Sequence, residues 1–108
     1  MNREEILATI KERLAEAFGG RFRGAVLYGS EARGEAHEDS DYDILVLLSE
    51  PMKLEDDMMT AIKAVYPLKL KLLESSDRII HTMPMDEREY ETNEFPFYQE
   101  VRKEGIRL

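Results

Sequence analysis

No cysteine occurs among the 108 residues, so neither a disulfide framework nor a thiolate metal site such as a zinc finger can be built from them. Long hydrophobic runs are missing too. The longest aliphatic run, Ile44 to Leu48, falls far short of the roughly 20 apolar residues of a membrane-spanning helix. The opening Met1-Asn2-Arg3-Glu4-Glu5 carries acids where a secretory signal needs a basic start and then an apolar run. Basic residues are in deficit, 15 Lys and Arg against 23 Asp and Glu, for a net charge of -8. A phosphate backbone is bound by displacing its counterions with a cationic surface, so non-specific nucleic-acid binding is not expected. No Gly-Lys-Ser/Thr occurs, which excludes a Walker-type phosphate loop. What fits this balance is a soluble cytoplasmic protein whose partner is a metal cation, a cationic small molecule or a basic protein.

The length suits a single domain over residues 1–108, and the contents of 43% hydrophobic and 35% charged residues are those of a globular chain. Asn2 with Glu5 three residues on reads as a helix start. Ile6, Leu7, Ile10, Leu14, Ala17 and Phe18 recur at helical spacing until Gly19-Gly20. Two apolar runs, 24–28 and 42–48, read as neighbouring strands; the second is apolar on both faces beyond Asp43, as a central strand is. Leu54 to Tyr66 suits a helix with Glu55, Asp56 and Asp57 in its first turn and its end at Pro67. The alternating run Leu68 to Leu73 predicts a half-exposed strand, and Ile79 to Met83 another, the two forming a hairpin. Phe95 to Leu108 predicts a short helix ending near Gly105, with Phe97, Tyr98, Val101 and Ile106 returning to the core. The expected fold is α/β (α+β): a small mixed sheet of about four strands with helices mainly on one face.

Chemistry concentrates between the first two strands, in Gly24 to Leu48. A Gly29-Ser30 pair leaves the first strand, and ten residues later the second opens with Asp41-Tyr42-Asp43. Side chains alternate along a strand, so Asp41 and Asp43 share a face. Paired carboxylates of this kind suit one or two Mg²⁺ ions, which take few protein ligands and complete their shell with water and phosphate. Gly29 allows close backbone approach, and the Ser30 hydroxyl with nearby amides can donate to phosphate oxygens. An EF-hand loop is excluded because Leu45 falls where it needs an acid or Asn.

This pattern resembles the Gly-Ser, ten-residue spacer, Asp-x-Asp signature of the DNA polymerase β-like nucleotidyltransferase superfamily. The fuller Leu27 to Leu48 is similar to its minimal nucleotidyltransferase branch, including the antitoxins of HEPN-type toxin–antitoxin modules. The resemblance implies that Gly29 and Ser30 hold the triphosphate of ATP or another nucleotide, and that Asp41 and Asp43 are catalytic metal ligands for Mg²⁺. It implies transfer of a nucleoside monophosphate to a hydroxyl, with a small helical HEPN-type protein as partner. Arg33 either contacts a phosphate or pairs with Asp41 or Asp43. The family's third carboxylate, on a later strand, is missing: the run Leu68 to Leu73 carries Lys69 and Lys71, and the nearest acids are Glu74 and Asp77. Glu74 reaches back, the acid comes from elsewhere, or catalysis is lost and the chain is a degenerate module that neutralises its partner by contact. His37 reads as an exposed loop residue and His81 as a hydrogen-bonded structural histidine.

Overall fold

A computed structural model describes residues 1–34, 41–75 and 78–108. His37 and Asp77 lie outside them. Helix α1, Arg3–Phe18, starts on the expected capping box: Asn2 Oδ1 accepts from the Glu5 amide at 2.8 Å, and Glu5 Oε1 accepts from the Asn2 amide at 3.3 Å. Strand β1, Phe22–Tyr28, leads into the single turn α2, Ser30–Arg33. Then come β2, Tyr42–Leu48; α3, Leu54–Leu73; β3, Ile80–Asp86; α4, Glu87–Thr92; α5, Pro96–Glu104; and the short β4, Ile106–Arg107.

These strands form one mixed sheet in the order β3-β2-β1-β4, with β2 antiparallel to β1 and parallel to β3. On one face α1 and α3 bury Ile10, Leu14, Val65 and Leu68 against Ala25, Leu27, Ile44 and Val46. The opposite face is covered less fully, by Val101 and Tyr98 of α5 and Tyr90 of α4 packed on the cluster of Val26, Leu45, Leu47 and Met85. Strand β2 is therefore buried from both sides, as its unbroken apolar run requires.

One expected element is wrong. Leu68 to Leu73 is no strand and makes no hairpin; it is the last third of α3, which runs through Pro67 without ending. Leu68 and Leu72, four residues apart, both enter the core, so a helical period was hidden inside the alternating Leu-Lys pattern. An interior proline removes one helical donor and crowds the carbonyl four residues back, and the packing of those two leucines beyond it holds the last turns in place. The link from β2 to the parallel β3 is then a helical crossover, as a parallel pair demands. Two smaller expectations also fail. Phe97 and Ile106 are exposed rather than core, and α4 and β4 lack the length to leave a periodic signal.

A bidentate ion pair fixes the start of α3. Arg21 Nη1 and Nη2 donate to the two Asp57 oxygens, each at 2.9 Å, and Nη2 also donates to the Pro51 carbonyl at 2.8 Å. Asp57 is buried and accepts from the Lys53 amide at 3.1 Å. The bond from Arg21 holds its carboxyl below the usual range, against the opposing effect of burial. A depressed folded-state pKa gives stability that is present above the unfolded value of about 4 and lost as pH falls through the folded one. Asp57→Asn is expected to cost about 2–3 kcal/mol at pH 7, since it leaves the guanidinium without its partner. Urea denaturation checks this: the gap to the parent protein should be wider at pH 7 than at pH 3, whereas an equal gap at both would contradict the role given to this pair.

Candidate functional site

Tyr28 and Asp43 are register partners across β1 and β2, and this pairing delivers the next residue, Gly29, directly to Asp43. Gly29 has φ +76°, a conformation L side chains rarely adopt, and a Cβ built there would lie 2.5 Å from Asp43 Oδ2. Glycine is thus required twice, for the bend and for the approach. Gly29 then opens α2, whose Arg33 amide donates to the Gly29 carbonyl at 3.2 Å, and Ser30 takes the first position of the turn.

Alternation along β2 separates the three residues of the Asp-Tyr-Asp motif. Tyr42 is fully buried on the α1/α3 side, with the Arg78 guanidinium 4.1 Å from its ring centroid. Asp43, on the opposite face, is half-buried. Burial pushes its carboxyl up, the neighbouring Asp41 charge adds to this, and His81 opposes it. Tyr28 is raised as well, by burial and by Asp43. Asp41 sits just before β2; its Oδ2 lies 3.0 Å from His81 Nε2, and its Oδ1 accepts from the Ile79 amide at 3.3 Å.

His81 makes the expected hydrogen bond, to Asp41. It is exposed, and β3 places it in register with Asp43. The later strand of the site is therefore β3, and its residues on the Asp43 face are His81, Met83 and Met85, with no acid among them. Glu74 is an exposed residue at the C-terminal end of α3, with Lys69 and Lys71 on the helix before it. Arg33 lies 3.9 Å from Glu104 of α5, across a groove of about 250 Å³ that also touches Tyr28, Gly29 and Phe97.

Sequence reasoning passed over Glu31. It is buried in α2 and held by two arginines, Arg3 from the start of α1 at 3.5 Å and Arg78 from the approach to β3. Arg3 Nη2 also donates to the Glu31 carbonyl at 3.4 Å. The glycine–serine turn is thus anchored to two distant parts of the chain. A lone Glu next to the motif gave no sign of this, because its partners stand 28 and 47 residues away.

For a cation, the described residues offer two carboxylates on one face, the inner one strained towards protonation by its surroundings. Positive charge bound between them would relieve that strain, so the pair fits a hard cation that takes most of its shell from water and phosphate. Among the described residues, no three Asp, Glu or His side chains converge on one metal position.

The fold is shared with other proteins. A family model for the nucleotidyltransferase domain matches residues 7–107, and the chain belongs to that family. It is 53% identical over 47 residues to the protein adenylyltransferase MntA of Thermococcus cleftensis, a stretch covering 44% of this chain and 46% of that one. Among solved structures it is similar to the spectinomycin adenyltransferase AAD(9) of Enterococcus faecialis, crystallised with ATP and spectinomycin. That match has a TM-score of 0.65 at 25% identity and covers 82% of this chain but only 36% of the enzyme. The toxin–antitoxin MntA-HpeT shares the fold, with a TM-score of 0.52 at 21% identity over 100% of this chain and 72% of that one.

Gly29→Ala is expected to destabilise the chain by about 1–3 kcal/mol through backbone strain and the clash with Asp43. Part of this loss should disappear in an Asp43→Ala background, leaving the strain alone. A double-mutant cycle by thermal or urea denaturation reads the difference; strictly additive losses would contradict the close approach.

Proposed function

We propose that the chain is a nucleotidyltransferase that moves AMP from ATP to a hydroxyl on another molecule. The supporting observation is the packing of Gly29 against Asp43, which joins a phosphate-binding turn and a carboxylate pair in one place. The names of the relatives agree with the reading, since one is a protein adenylyltransferase and another was crystallised with ATP. In this reading residues 1–108 act as one domain in the cytoplasm.

The Gly29 and Ser30 amides and the Ser30 hydroxyl bind the triphosphate, and Asp41 and Asp43 hold Mg²⁺. When bound, the cation supplies the positive charge that lets a carboxylate site accept a triphosphate. In the transfer, the acceptor hydroxyl gives up its proton to solvent as its oxygen forms a bond to the α-phosphorus, the bond from that phosphorus to the bridging oxygen breaks, and pyrophosphate leaves. The burial of Asp43 and the bonds from His81 and the Ile79 amide to Asp41 fix both carboxylates before substrate arrives, which is where such sites gain most. We assign His81 as the positioning residue for Asp41. Arg33 stands at the edge of the same turn, where it can reach a phosphate. The acceptor is a hydroxyl on a small helical partner protein of HEPN type, in keeping with the toxin–antitoxin relative.

A second reading has one observation in its favour: the Asp43 face of β3 carries no acid. The chain would then be a degenerate module that neutralises its partner by contact alone. Incubation with ATP labelled at the α-phosphate, Mg²⁺ and the co-purified partner decides between them. The enzyme reading predicts label on the partner, lost on Asp41→Ala/Asp43→Ala. Absent label, together with full neutralisation of the partner by that variant, would sink it. His81→Ala is expected to weaken Mg²⁺ affinity about 10- to 100-fold, with His81→Gln partly restoring it; titration calorimetry measures both.

A further inference from the structure

Helix α3 is apolar on two sides. One arc, with Ala61, Val65, Leu68 and Leu72, enters the core. The other bears Met58, Met59, Ile62, Tyr66, Leu70 and Leu73, each between 41% and 55% exposed. At 100° per residue these six fall within roughly 120° of the helix surface, and Met59, Ile62, Tyr66 and Leu73 recur at intervals of three, four and seven, the seam of a helix that packs lengthwise on another. A surface helix in a small acidic protein has no reason of its own to carry such a stripe. The apolar surface also continues past α3 onto the outer edge of the sheet, in a groove of about 550 Å³ that Met58 shares with Met83, Pro84 and Phe97.

What covers the stripe is indicated by its charges. Only two charged residues, Glu55 and Lys69, lie within the exposed arc. They carry opposite sign and each stands seven residues from Ile62. A twofold axis through Ile62 therefore brings Glu55 against Lys69 of the partner subunit, and does so twice, while Met58 meets Tyr66 of the partner subunit and the two Ile62 side chains meet each other. A parallel arrangement in the same register would stack like charges. The pattern is self-complementary in the way an isologous interface must be.

We infer that the outer arc of α3 is the interface with a second copy of this chain, packed antiparallel about Ile62. The dimer buries the stripe and leaves Gly29, Asp41 and Asp43 outside the contact made by these side chains. A helical partner of different sequence gains no advantage from the mirrored placement of Glu55 and Lys69.

Sedimentation velocity on the full chain between about 1 and 500 μM tests this. The expected result is a concentration-dependent dimer, reduced to monomer by Ile62→Glu and by Tyr66→Glu, with the far-ultraviolet circular dichroism of each unchanged because both sites are exposed. Glu55→Lys and Lys69→Glu should each weaken dimerisation about tenfold by turning attraction into repulsion at two places, and the double reversal should restore it. A chain that stays monomeric throughout this range, or a dimer untouched by Ile62→Glu, or a double reversal no better than the singles, would overturn the assignment.

Discussion

Everything at the candidate site rests on the register of β1 against β2. Because Tyr28 faces Asp43, the residue after Tyr28 arrives at the Asp43 carboxylate and has to be glycine. A slip of one residue would exchange the two faces of β2, sending Asp43 into the α1/α3 layer and Tyr42 out to solvent. The register is held by burial on both sides. On one face Ile44 and Val46 meet α1 and α3, and on the other Leu45 and Leu47 meet Val101 and Met85. The apolar core and the polar site are thus two results of one alignment.

Charge is handled in two ways at the acids Asp57, Glu31 and Asp43. Asp57 and Glu31 are paired with arginines, and the pairs tie the loops flanking the sheet to the helices. Asp43 has no such partner among the described residues. It is left raised, with only His81 acting at a distance to lower it. Asp57 and Glu31 are neutralised from within, whereas Asp43 is left for a bound cation to complete. That contrast argues for a ligand-binding role of Asp43 more strongly than its position in a motif does.

The site was more legible in the sequence than the outer half of the fold. Gly29-Ser30 and Asp41-Tyr42-Asp43 have local causes, since alternation fixes the two aspartates on one face and a turn needs its glycine, so their placement could be read from spacing. The capping box at Asn2 and Glu5 is local for the same reason. Leu68 to Leu73 misled because leucine alternating with lysine suits a strand, while Leu68 and Leu72 four apart suit a helix equally, and Pro67 tipped the choice the wrong way. That error also hid the place of His81. With the later strand at Leu68–Leu73, the nearest acids are Glu74 and Asp77, whereas β3 brings His81 to the register position of Asp43. Glu31 was invisible for another reason, as its partners are joined to it only by the folded chain.

The proposed nucleotide site lies at the junction of Gly29, Ser30 and Asp43. The most direct measurement is a titration of the ¹⁵N-labelled chain with a non-hydrolysable ATP analogue and Mg²⁺, followed by amide chemical shifts. The predicted result is that the largest shifts fall on Gly29, Ser30 and Glu31 and on Asp41 to Asp43, and that they shrink when Mg²⁺ is withheld. Shifts concentrated instead on the groove between Met58 and Phe97, or none at millimolar analogue, would contradict this site.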